Sequence, residues 1–269
     1  SPIRNLTELV DVDVSHTKLR DLSALKYSDK LEMLKVGHTE VSDISIVQKM
    51  PRLHYLDVRA TSVTDFTPLT TAGELVHLNL KGTGIIDLSP LENLVQLTEL
   101  NVSSTPVQDI NPLKGLTALE TLDLDSARIA NIEALSGLEN LKVLHANHTL
   151  ISDLKPLQKL AHLEKIYCDQ TSITREVADA FMAGNPKVLV VFDSRDIKVW
   201  WDTLTPEWQD VLGKTANIGP APSKEDLAKV TNLDSINLGE NGHMYSLEPL
   251  RKLQKLQVII ANKTSVKDL

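Results

Sequence analysis

Apolar and polar positions along this chain repeat every 22 residues. With the residue that closes each predicted strand as a marker, Thr17, Thr39, Thr61, Thr83, Thr105, Ala127, Thr149 and Thr171 are in phase. Eight residues before each marker stand Leu9, Leu31, Leu53, Leu75, Leu97, Leu119, Leu141 and Leu163. Three before stand Val14, Val36, Val58, Leu80, Val102, Leu124, Ala146 and Cys168, and two after stand Leu19, Val41, Val63, Ile85, Val107, Ile129, Ile151 and Ile173. The stretch from Asp87 to Leu113 shows the unit most clearly: Leu97, Leu100 and Val102 lead through a strand, Thr105 closes it, Val107 turns back inward, and Asp109-Ile-Asn-Pro-Leu113 begins the return. Such a unit cannot hold itself together. About six aliphatic side chains contribute roughly 1.5–3 kcal/mol each on burial, whereas ordering about 22 backbones costs roughly 1–2 kcal/mol apiece. Stacking on copies above and below supplies the difference. The pattern therefore predicts a curved, right-handed parallel α/β solenoid, with strands of about four residues on the concave side and short 3-10 or helical turns on the convex side.

The punctuation agrees with this phase. Pro68, Pro90, Pro112 and Pro156 sit where a turn of helix begins, because a fixed φ and a missing N–H cost nothing there. Asp21, Asp43, Asp65, Asp87, Asp109 and Asp153, or the polar residue two later, are placed to cap the free amides of that turn. The Thr column reads as hydroxyls that satisfy backbone groups. At Thr174 the pattern changes: residues 175–183 have helical spacing, with Val177, Ala178, Phe181 and Met182 on one face, Gly184-Asn-Pro186 as a stop and an apolar strand over 188–192.

Residues 194–232 are of another kind. Thr205, Pro206 and Glu207 announce a helix with Trp208, Val211 and Leu212 on its inner face. Gly219-Pro-Ala-Pro222 is a stiff connection, and Ser223 with Asp226 forms a capping box for a second helix through Leu227 and Val230. The repeat resumes with Leu233, Ile236, Leu238 and Asn241, and again with Leu256, Ile259, Ala261, Thr264, Val266 and Asp268, now 23 residues apart. The expected organisation is a first array over 1–193, a tryptophan-containing helical cap or linker over 194–232, and the start of a second array over 233–269. Ser1-Pro-Ile-Arg-Asn-Leu6 matches the second half of a repeat and Thr264–Leu269 stops inside one, so both ends are expected to lie within repeats.

Composition narrows the function. Three Phe and four Tyr in 269 residues suit a long aliphatic column rather than a round core. The net charge of −8 argues against a nucleic-acid partner. Cys168, the sole cysteine, occupies a core column and reads as a small buried hydrophobe. No apolar run approaches the roughly 20 residues a membrane helix needs. Gly-x-Ser-x-Gly and Gly-rich phosphate loops are absent from the sequence, and no catalytic residue, cofactor or metal ligand is assigned.

The motif L-x-x-L-x-L-x-x-(T/N)-x-(I/V)-x-D-(I/L)-x-P-L over residues 6–193, and again over 233–269, resembles the bacterial leucine-rich repeats of the internalin class. This chain carries Thr where Asn is commoner at the ladder position. The tryptophan helix and proline-rich link resemble segments that open arrays in bacterial surface proteins of this kind. The resemblance implies a secreted or cell-surface, non-enzymatic module that binds a protein or surface ligand on its concave sheet.

Residues between the inward columns point onto that sheet. Met33, Tyr55 and His77 are expected side by side, bordered by Lys35, Arg59 and Lys81, with Asp57 and Asn79 between them. Asp123, Asp125 and Asp169 form an acidic end, near His145, His148 and Tyr167. Tyr and Arg at the centre of such a sheet are what a protein-binding hot spot uses. Met33, Lys35, Tyr55, Asp57, Arg59, His77, Asn79, Lys81, Asp123, Asp125, His145 and Tyr167 are therefore the candidate partner-binding residues. The alternatives are a carbohydrate surface, with Tyr55 or Tyr167 stacked on a sugar, and a targeting arm of a larger enzyme. A transition-metal site at His16 and His38, or at His145 and His148, is a minor alternative for want of a compact motif.

Overall fold

The computed structural model describes residues 6–267. The expectations for Ser1 to Asn5 and for Asp268 lie outside them. The chain divides into two compact units, residues 1–188 and 189–269.

In the first unit, eight short strands follow one another: β1 (Asp11–Asp13), β2 (Met33–Lys35), β3 (Tyr55–Asp57), β4 (His77–Asn79), β5 (Glu99–Asn101), β6 (Thr121–Asp123), β7 (Val143–His145) and β8 (Lys165–Tyr167). Each pairs in parallel with the next, and the register advances by one repeat, as in Leu34↔Leu56↔Leu78 and Leu100↔Leu122↔Leu144. The strands are three residues long rather than about four, yet the pairing runs further: Val36 N donates to Asp57 O at 2.8 Å and His38 N to Arg59 O at 2.9 Å. The middle residue of each strand from β2 onward points inward and is buried. In β1, Val12 is only half-buried, since among the described residues its coil has a neighbour on one side alone.

The Thr column does what its hydroxyls suggested. Thr39, Thr61, Thr83, Thr105, Thr149 and Thr171 each donate to the carbonyl three residues earlier, at 2.6 to 2.8 Å. Its counterpart Ala127 has no hydroxyl, and there the backbone N–H donates to Leu124 O at 3.0 Å. The residue just before each marker has a conformation that residue type does not announce: His16, His38, Ala60, Ser104, Ser126, His148 and Gln170 are left-handed, with φ between 49° and 61°, and glycine appears in this column only as Gly82. A left-handed L-residue costs roughly 1–2 kcal/mol. The cost is met because that N–H bonds to the next coil, as in Ser104 N to Asp125 O at 2.7 Å.

On the convex side each return is a 3-10 turn, with Pro68, Pro90, Pro112 and Pro156 at its start. The Asp column caps as expected, from one position before the cap residue: Asp43, Asp65, Asp87, Asp109 and Asp153 accept the N–H two residues on at 2.7 to 2.9 Å. Hydrogen bonds from the Ser89 hydroxyl and amide hold the Asp87 carboxyl below its ordinary range. The last return is α1 (Arg175–Gly184), capped by Thr174, with Ala178, Phe181 and Met182 buried.

The second unit holds β9 (Leu189–Val191), α2 (Ser194–Thr203), α3 (Pro206–Ala216), α4 (Lys224–Thr231), β10 (Ser235–Asn237) and β11 (Val258–Ile260). The capping box at Ser223 and Asp226 is present. Helix α2 is additional to the two helices expected between the arrays, and Ile197, Trp200, Trp201 and Leu204 have helical spacing. Its start is obscured because Asp193 is left-handed and its side chain caps nothing. Trp201, Trp208, Val211, Leu212, Leu227 and Val230 form one core with Ile236, Leu238, Leu250 and Leu253, so the helices cover the inward face of the β10 coil. β10 and β11 are parallel with Ser235 opposite Val258, which confirms the 23-residue step. No helix among the described residues is long and apolar enough to cross a membrane.

Candidate binding surface on the concave sheet

The first and third residues of every strand, and the residue two further on, form three rows across the concave sheet. Strand register places Met33, Tyr55, His77, Glu99, Thr121 and Val143 in one row. Lys35, Asp57, Asn79, Asn101, Asp123, His145 and Tyr167 make the second. The anticipated cluster is therefore contiguous. The Tyr55 and His77 ring centroids are 5.6 Å apart, and Lys35 Nζ lies 5.1 Å from the Tyr55 ring.

Asp13, opposite Lys35, extends the second row to eight residues, and five of them serve the backbone. Asp13, Asp57, Asn79, Asn101 and Asp123 each accept, through Oδ1, the N–H two residues on, at 2.9 to 3.1 Å. These side chains close the strand end as an Asx turn does. A sequence pattern that only sorts inward from outward positions does not separate this task from recognition.

Two candidate residues are corrected on burial. Asp57 is 2% exposed and so offers no contact surface; its charge is compensated by Arg59, whose Nε lies 3.4 Å from Oδ2. Tyr167 is 8% exposed, lying face to face with His145 at 4.4 Å and 9°, so it cannot stack on a sugar. Arg59 is thereby a counterion as well as a surface residue. It can lie over Asp57 because its neighbour in the preceding coil is Gly37, where a Cβ would fall 2.9 Å from Arg59 Cγ. Asp125 accepts the backbone and side-chain N–H groups of Asn147 at 2.7 and 3.0 Å, and Asn147 Oδ1 accepts Asp169 N at 2.8 Å. The acidic end is thus a hydrogen-bonded ladder between coils.

Met33, Lys35, Tyr55, His77, Lys81 and His145 remain at least partly exposed. Beside them is a depression of about 200 Å3, lined by Tyr55, His77, Leu78, Asn79, Glu99, Leu100, Asn101, Thr121, Asp123 and His145. Glu99, Asn101 and Thr121 line it too; they share the outward face but lack the Tyr or Arg character that marks a hot spot in sequence. His77 Nδ1 lies 3.1 Å from Glu99 Oε2. Asp123 Oδ2 accepts from Asn101 Nδ2 at 2.9 Å, and burial pushes the Asp123 carboxyl above its ordinary range, with the neighbouring Asp125 charge adding and His145 opposing.

His16 and His38 stack at 4.4 Å and 12°. Among the described residues, no group of three or more His, Cys, Asp or Glu is arranged to hold a metal ion. Cys168 is a buried free thiol.

The sequence model for "Leucine Rich repeats (2 copies)" matches residues 74–115 and 95–137. Internalin C2 of Listeria monocytogenes is 19% identical over 70% of this chain and 82% of its own, with a TM-score of 0.65. A second L. monocytogenes internalin, InlF, is 21% identical over 99% of this chain and 78% of its own, with a TM-score of 0.63. A leucine-rich-repeat protein of Leptospira interrogans is 15% identical over 70% of this chain and 56% of its own, with a TM-score of 0.61. Comparison with curated proteins finds no match. At these identities the likeness is one of fold. The period, the paired strands and the matched repeats agree: the chain folds as a leucine-rich-repeat solenoid, with bacterial internalins among its structural neighbours.

Proposed function

We propose that this chain is a non-enzymatic recognition module of a bacterial surface or secreted protein, binding a protein partner through the concave sheet of its first array. The reading includes the organisation into a first array, a helical cap over 194–232 and the start of a second array. One observation carries it: Met33, Tyr55 and His77 stand in register on adjacent strands, with Lys35 against the Tyr55 ring and a depression beside them. A rigid row of half-buried aromatic and cationic side chains around a concavity loses little entropy on docking, which is what hot spots exploit.

The test is capture of a partner from host-cell and bacterial-surface extracts by the immobilised chain, repeated with Met33→Asp combined with Tyr55→Ala. Arg59→Glu is unsuitable, because it sets a second carboxylate against the buried Asp57. Loss of the captured protein supports the reading, and unchanged capture removes it. The carbohydrate reading loses Tyr167 but keeps Tyr55, and a glycan array with Tyr55→Ala as control separates the two.

A further inference from the structure

The fixed charge in the depression on β4 to β6 is of one sign, and its titratable rings are His77, 3.1 Å from Glu99, and His145. Two carboxylates reach it, Glu99 and Asp123, and no lysine or arginine lines it. Asp123 is half-buried, takes its hydrogen bonds from the neutral groups Asp125 N and Asn101 Nδ2, and forms no ion pair among the described residues. Asp57, one coil beyond Asn79 in the same row, shows the alternative: a buried carboxylate with Arg59 laid over it. His145 and Lys81 act on Asp123 without an ion-pair contact, so this partly dehydrated anion is only partly compensated, and a cation that a ligand brings into contact gains more there than in water.

The walls narrow the choice of cation. Rings stand on both sides, Tyr55 and His77 on one and His145 on the other. A planar guanidinium uses both features, since its fork matches a carboxylate and its face stacks on an aromatic ring. Lys35 and Lys81 stand outside the depression and repel further positive charge, so a single cation is favoured over a polybasic tract.

We propose that the depression between Tyr55 and His145 takes one arginine side chain of a peptide segment of the protein partner, its guanidinium held by Glu99 and Asp123. This rests on the concave sheet being the recognition surface. Docking sets the segment across the strands, with the arginine as its anchor and neutral or acidic residues facing Lys35 and Lys81.

The test is selection of phage-displayed random heptapeptides on the full chain, followed by binding of the synthetic winners to the wild type, Glu99→Gln, Asp123→Asn and the Met33→Asp/Tyr55→Ala double variant. Glu99 is largely exposed, so Glu99→Gln keeps the fold if Asp123→Asn disturbs it, and circular dichroism of each variant checks this. The expected result is an arginine enriched at one position and affinity weakened roughly tenfold by Glu99→Gln and by replacing that arginine with norleucine. Peptides that lose binding to the double variant, yet carry no common arginine or ignore both carboxylate changes, overturn the arginine pocket and leave concave recognition standing. Peptides indifferent to every concave variant, or no binders at all, overturn both.

Discussion

Ile236 and Ile259 hold the same inward position in two consecutive coils, yet one is 2% exposed and the other 47%. In the first unit, the matching residues Leu34, Leu56, Leu122 and Leu144 are all fully covered, because each coil is roofed and floored by a copy of itself. In the second unit the β10 coil is covered by α3 and α4, and the β11 coil, with Val258, Ile259 and Ile260 all exposed, has no cover on its far side among the described residues. Burial in a solenoid therefore belongs to the stack rather than to the repeat, and a helical lid can replace a missing copy on one side.

The largest expected effect tests the lid. Trp208→Ala removes a buried ring from the core over β10 and should cost about 3–5 kcal/mol. All three tryptophans lie in the second unit, so Trp200 and Trp201 fluorescence during urea unfolding reports it, and the expected outcome is a lower fluorescence midpoint than in the wild type. Next comes the pair that restates the comparison. Leu122→Ala should cost about 2–5 kcal/mol, whereas Ile259→Ala, at the same position in a coil that among the described residues has a neighbour on one side alone, should cost less than about 1 kcal/mol. Equal losses in calorimetric or urea unfolding would show that coil position matters more than its neighbours.

A smaller effect is expected in the ladder. Thr105→Val keeps shape but removes the hydroxyl that donates to Val102 O at 2.6 Å, and should cost about 1 kcal/mol. Smallest is the pH dependence of the convex caps. The carboxyls of Asp21, Asp65 and Asp87 are held below their ordinary 3.8, so their contribution is present above that value and is lost as pH falls through the folded one. Asp87→Asn should thus unfold at lower urea than the wild type at pH 6, and the gap should narrow as pH falls below 3.8. Asp123 runs the opposite way: its raised carboxyl destabilises the fold once it ionises, and that cost is relieved as pH falls.

The amino-acid pattern alone determined the 22-residue coil, the strand phase, the Pro and Asp punctuation, α1, the capping box of α4 and the 23-residue step, because periodicity and local hydrogen bonding are written in neighbouring residues. It also determined which side chains face the concave sheet. Only the tertiary structure decided which of those are free. Asp57 is sealed beneath Arg59 in the space left by Gly37, Tyr167 lies under His145, and Asn79 and Asp123 are bound to the backbone ahead of them. The left-handed residue before each marker was equally hidden, since the bond that offsets its strain goes to the next coil, 22 residues away in sequence. Facing direction follows from the two-residue period of a strand, whereas exposure depends on side chains that meet only after the coils have stacked.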